Sequence, residues 1–236
     1  MGIVVILLAA TLPALRGLNQ SESRRGAVGN LLGVLDHARM LAITNGLATY
    51  VVFACPSDAT QVNPDLLGRA YAIYQDSDNV SFTPVQKTPW QPLPKGIAFK
   101  VQAVTDNTSV SNDCITARFY QTAPTATDHA FPLSTAALPP GGASATNVQM
   151  PYWQFDGTGA VTEQKFLRLL LFPGSVAAGN GNGSELPTSQ NTTSTNGPTH
   201  GQLEEIDMNP ATGRAKYIID PADNLSTPSS TPSPTP

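Results

Sequence analysis

The chain has 236 residues, enough for one domain with appendages. Only 13% are charged, 19 are glycine and 21 are proline, which fits a β-rich extracytoplasmic domain with long loops better than a helical cytoplasmic enzyme. With 13 Lys and Arg against 17 Asp and Glu the net charge is -4, which argues against a nucleic-acid partner held by bulk charge.

Ile3 to Leu15 reads IVVILLAATLPAL and carries no charge. The run is shorter than the roughly 20 apolar residues that cross a bilayer. It also lacks the basic segment that opens a secretory signal peptide. Its residues are nevertheless apolar on every side, which suits lipid or neighbouring helices better than a soluble core. The expected membrane or filament helix comprises Ile3, Val4, Val5, Ile6, Leu7, Leu8, Leu12, Pro13 and Leu15. Pro13 should kink this helix without ending it. Arg16, Glu22, Arg24 and Arg25 then mark an abrupt move into water.

From residue 28 the pattern becomes amphipathic. Val28, Leu31, Leu32, Leu35, Ala38, Leu41 and Ala42 recur at helical spacing and should pack under a head, while Asp36, His37 and Arg39 fall largely off that stripe. Asn45-Gly46 supplies a helix stop. Residues 1–47 therefore read as one long helix, membrane-embedded at first and amphipathic after.

The strands follow in a head spanning 48–220. Thr49 to Ala54 is β-branched and aromatic. Arg69 to Tyr74 alternates and ends in Gln75-Asp76-Ser77-Asp78-Asn79, which reads as a hairpin turn, since it lacks the glycine and distal glutamate of a calcium loop. Leu93-Pro94-Lys95-Gly96 introduces Ile97 to Val104, and Ile115 to Tyr120 is a further candidate. Tyr152 to Phe155 and Ala160 to Thr162 should form a hairpin across Asp156-Gly157, a preferred tight-turn pair. Phe166 to Phe172 is a central strand or a short helix. Glu204 to Asn209, Thr212-Gly213 and Arg214 to Ile219 form a last hairpin. Residues 121–149 and 173–200 are expected as long loops. Residues 221–236 end in STPSSTPSPTP and are expected as a solvated tail.

Chemistry-bearing sets are sparse. His37, His129 and His200 pair with no Cys or second His at metal-ligand spacing, so no metal or cofactor is expected. No nucleophile elbow and no phosphate-binding glycine loop occurs. Ser184, Glu185 and His200 form a triad only in the sense that any Ser-rich loop does. Cys55 and Cys114 are either one disulfide or two separate buried thiols. Arg214 and Lys216 share one face of a strand, as a solvated edge that discourages pairing or as a small DNA contact.

An apolar start with a proline near its end, a charged break, and then LLGVLDHARMLAITNG leading into a Val-rich strand resembles the type IV pilin-like proteins. Within them the closest likeness is to the H-type minor pseudopilins of type II secretion, the GspH/FimT group. Leu31, Leu32, Leu35, Ala38, Arg39, Ala42, Ile43, Gly46 and Tyr50 to Phe53 match that group, which has Ser-Glu where this chain has Met40-Leu41. Residues 93–99, 152–163 and 203–219 match its strand entry, its Phe-Asp-Gly-x-Gly hairpin and its terminal Gly-Arg strand, in that order.

The resemblance implies an α+β, pilin-like fold in which a long N-terminal helix packs against an antiparallel sheet. It implies a non-catalytic filament subunit, single-pass in the inner membrane, with a periplasmic or extracellular head. Its partners would be other pilins or pseudopilins and the inner-membrane assembly platform. It further implies a reading frame extending upstream of Met1, with a basic leader, a peptidase site and a glutamate. Roughly nine more residues would bring the apolar run to the ~20 a bilayer demands. A pilin-like DNA-uptake or adhesion component is one alternative function, and a secreted or anchored hydrolase is another.

Overall fold

In a computed structural model, the structure describes residues 2–55, 62–63, 65–78, 82–102, 115–116, 131–133, 148–162, 168–177, 188–190 and 203–218. Side chains of the first helix are described from Ser23 onward. The elements begin with α1 (Gly2–Asn45), β1 (Thr49–Phe53), β2 (Ala70–Asp76), β3 (Pro84–Gln86), β4 (Gln91–Pro92) and β5 (Ile97–Phe99). Next come β6 (Val101–Gln102), β7 (Ile115–Thr116), β8 (Phe131–Leu133), β9 (Val148–Met150) and β10 (Tyr152–Phe155). The last are β11 (Arg168–Pro173), β12 (Ser175–Ala177), β13 (Thr188–Gln190), β14 (Glu204–Asn209) and β15 (Arg214–Ile218).

One N-terminal helix packs on antiparallel sheets, so the fold class is α+β. Sheet A runs β10-β1-β2-β3, with β4 also paired to β2. Its centre is antiparallel, with Val51 opposite Ile73 on one side and Trp153 on the other. Sheet B runs β15-β14-β11-β5, again antiparallel, with Leu169 opposite Ile206 and Ile206 opposite Tyr217. Period-2 alternation places Val51, Phe53, Tyr71 and Ile73 toward the helix, in one core with Phe99, Trp153, Phe155, Leu169, Leu171, Ile206 and Met208. The sheets meet where Phe53 and Phe99 pack edge to face, ring centroids 5.2 Å apart. Tyr50, Val52, Ala72 and Tyr74 face the other way into a smaller cluster with Val62 and Met150. Both faces of β1 and β2 are therefore buried.

The strands differ from the sequence reading in several places. Ile97 to Val104 is not one strand: β5 joins sheet B, and after Lys100 the chain pairs in parallel with β7 instead. Lys100 donates its amide to Leu170 O (2.8 Å), which ends the sheet B ladder there. Of the stretch Phe166 to Phe172, the described part from Arg168 onward is strand β11, with Leu171 and Phe172 finding ladder partners in Phe99 and Ala98. Two stretches read as loops contain paired strands. Within 121–149, β8 pairs with β9, and within 173–200, β12 pairs with β13. Ladder hydrogen bonds belong to the backbone, so polar, Pro- and Ser-containing segments pair when the fold brings them alongside. The tail at 221–236 lies outside the described residues.

Candidate functional site: the helix and its seat

The stripe read from the sequence faces the core. Val28, Leu31, Leu35, Ala38 and Ala42 are each at most 2% exposed, and Leu32 and Leu41 are partly buried against the same cluster. Ala27 joins them. The spacing is that of one helix face, and the small Ala38 and Ala42 let the last turns lie close to the sheets. Asp36, His37 and Met40 lie on the exposed side.

The C-terminal end of α1 is fastened by polar contacts that local patterning did not indicate. Gly46 ends the helix at φ 63°, in the left-handed region. Gln75 is 1% exposed, and its Nε2 donates to Leu41 O (3.1 Å) and to Thr49 Oγ1 (3.0 Å). Asn45 Nδ2 donates to Gln75 Oε1 (2.8 Å). Every polar atom of the Gln75 amide group thus serves the helix end or β1. The available signal was Gln75 itself, a polar residue closing an apolar strand.

Three turns converge on the same end. Arg39 Nε donates to Thr212 O (2.8 Å), tying the helix to the β14–β15 turn. A Cβ on Gly157 would sit 2.8 Å from Gly46 O, and one on Gly159 would sit 2.7 Å from Ile43 Cδ1. A Cβ on Gly213 would fall 1.9 Å from Gly159 O. The expected hairpin across Asp156-Gly157 forms, with Phe155 opposite Val161. Its loop runs from Asp156 to Ala160, closed by Asp156 N to Ala160 O (2.9 Å), and the left-handed residue is Gly159 at φ 82°. Asp156 Oδ1 accepts from Thr158 N, Thr158 Oγ1 and Ala160 N at 2.8, 2.6 and 3.0 Å, so the side chain shapes the turn. Gly157 is required by close approach rather than by φ. Val161 then leaves sheet A, keeping one bridge to Phe155 and donating to Pro210 O (2.8 Å).

The remaining expected residues are scattered. Arg214 and Lys216 are exposed on one face of β15, at the edge of sheet B. Lys216 stands opposite Asp207, whose Oδ1 is 3.2 Å from Arg168 Nε, so the cations alternate with acid. Cys55 is a free, buried thiol whose pKa is pushed up by burial, and Cys114 lies outside the described residues. Ile3, Val4, Val5, Ile6, Leu7, Leu8, Leu12, Pro13 and Leu15 belong to α1, but their side chains lie outside those described. Among the described residues no helix is long and apolar enough to cross a membrane, and no three His, Cys, Asp or Glu side chains gather where a metal could bind. His129, His200, Ser184 and Glu185 lie outside the described residues.

Two buried acids escaped the sequence reading: Glu205, 0% exposed with Oε1 3.5 Å from Arg168 Nε, and Asp76. Asp76 is 6% exposed, and its Oδ2 accepts a 2.7 Å hydrogen bond from the Tyr50 hydroxyl. Desolvation raises its carboxyl above the usual range; the Tyr50 and Thr83 hydrogen bonds pull the other way, and Asp78 adds repulsion.

No protein-family model, curated protein or solved structure matches this chain.

Proposed function

We propose that this chain is a pilin-like filament subunit, of the H-type minor pseudopilin kind, acting in filament assembly during protein export. The observation that carries the reading is the seat of α1. A single N-terminal helix supplies the core face beneath two antiparallel sheets. Its C-terminal end is held by the segments that carry the family resemblance: Arg39 on the helix and Gly46 just after it, the Phe155-Asp156-Gly157-Thr158-Gly159 turn, and Gly213 before the final strand. Residues far apart in the chain that match one family in order also meet in space, as a shared architecture requires.

On this reading the amphipathic part of α1 holds the head. The apolar Ile3–Leu15 part lies in the inner membrane before assembly, then against other pilin helices in the filament. The head stands on the periplasmic side and needs no catalytic group or cofactor. Partners are other pilins or pseudopilins and the assembly platform. A DNA-uptake role would rest on Arg214 and Lys216, but Asp207 beside Lys216 weakens any phosphate site there, so export is the leading reading.

Leu8→Arg in the full-length protein tests the proposal. A charge at the centre of a membrane helix costs about 2.5 kcal/mol or more. The expected outcome is loss of membrane insertion, of crosslinking to partner pilins and of cargo export, with the head's circular dichroism unchanged. Unchanged crosslinking and export would overturn the filament reading.

A further inference from the structure

The attachment of α1 is uneven along its length. The Arg39–Asn45 end is held by the Thr212 and Gln75 hydrogen bonds and the glycine contacts. The part of the helix just after Ser23 combines a short apolar contact with charge. Arg24 Nη1 lies 4.0 Å from Glu204 Oε1, with the two side chains 19% and 14% exposed. Glu204 Oε2 accepts a hydrogen bond from the Tyr217 hydroxyl. Burial first, then the bond to Glu204 and its charge, push the Tyr217 phenol up to about 12 against the opposing pull of Arg25 and Arg24, so it remains a donor at neutral pH. Helix, β14 and β15 thus meet in one group: Arg24, Arg25, Glu204 and Tyr217.

Between the two ends the helix is intrinsically weak. Gly26, Gly29 and Gly33 all lie on its exposed side. Glycine is the poorest helix former after proline. A Cβ at any of the three would meet nothing within 4 Å, so close packing does not account for them. The apolar anchors here are Ala27, Val28 and Leu31, with Leu32 partly buried against the same cluster.

We propose that the 23–33 part of α1 is a releasable strap, clasped to sheet B by Arg24, Glu204 and Tyr217 and able to open while the 35–45 part stays seated. The strap gives the head a way to change its angle to the N-terminal part of the helix without unfolding. It is independent of what the chain assembles with.

Amide hydrogen exchange on the full chain tests this. In the parent protein, amides of residues 26–33 are expected to exchange at least about tenfold faster than those of 38–45. Glu204→Gln keeps an acceptor for Tyr217 but removes the charge. It should speed exchange at 26–33 by about two- to fivefold and leave 38–45 unchanged. Raising salt from about 50 mM to 1 M should act in the same direction on the parent and not on the variant. Gly29→Ala adds one methyl in open space and should slow exchange at 26–33 by about fivefold. If Glu204→Gln destabilises the whole head, Gly29→Ala and the salt series still decide. Equal protection along all of α1, or a uniform change on Gly29→Ala, would show that the helix opens as one unit and would overturn the strap.

Discussion

Gly213 shows how a single atom can matter in this fold. Its φ is 60°, and an added Cβ would lie 1.9 Å from Gly159 O, a backbone atom with nowhere to go. Gly213→Ala is therefore expected to destabilise the head by about 3 kcal/mol, from left-handed strain plus the forced separation of two turns. Urea unfolding checks this through the midpoint. Two carboxyls should show opposite pH signatures. Burial raises the Asp156 carboxyl, but hydrogen bonds from Thr158, Ala160 and Gly159 together outweigh it and hold it below the usual range. A depressed carboxyl adds stability that is present above its unfolded pKa, near 3.9, and is lost as pH falls through the folded value. Asp76 is raised instead. Its contribution is complete below about 3.9 and is lost as pH rises through its folded value. Asp76→Asn should thus flatten a decline in stability that sets in as pH rises above about 3.9, and Asp156→Asn should flatten the loss as pH falls below it. Unfolding midpoints across pH give both profiles. An Asp76→Asn curve parallel to the parent's would remove the buried-carboxyl account.

For the helix, the question is which face carries the energy. Leu35 is 1% exposed in the middle of the stripe, and Leu35→Ala should cost about 3 kcal/mol through lost transfer energy and the cavity left behind. Met40, 53% exposed, should tolerate Ala within about 0.5 kcal/mol. Equal effects in denaturant titrations would mean that the stripe is not the seam. The stripe was legible because helical period and apolar spacing are both local. So were β1, β2 and the β14–β15 hairpin, from alternation and turn residues. The strand pairs β8–β9 and β12–β13 were not, because their pairing depends on what lies alongside. At Asp156-Gly157 the hairpin was legible, but the role of its glycine was not. The dipeptide suits a tight hairpin, but here Gly157 serves a backbone contact with Gly46, more than a hundred residues earlier in the chain.

In the whole molecule, the helix is part of the core. Without it, Val51, Phe53, Phe155, Leu169, Ile206 and Met208 would lose the face they share. A chain beginning at Ser23 is expected to fold cooperatively, with a fixed near-ultraviolet circular dichroism signal from Trp153, which is fully buried. A chain beginning at Ala48 is expected to lose that signal and bind a hydrophobic dye. A native-like spectrum from the second chain would show that the sheets close over one another unaided.

What the sequence determined alone was everything set by neighbours within a turn or a hairpin. The amphipathic stripe of α1 and the principal strands follow from period, composition and spacing. What only the tertiary structure decided involves residues distant in the chain. Gln75 caps no local turn, yet it fastens the end of a helix some thirty residues earlier. Arg39 reaches a carbonyl 173 residues away. Gly157, Gly159 and Gly213 are ordinary turn glycines until three turns meet at one helix end. Asp76 sits in what reads as a solvated turn, yet the sheet buries it beneath Tyr50. Such roles depend on long-range approach, which is set by how two sheets and a helix share one core, and no local window of sequence contains that information.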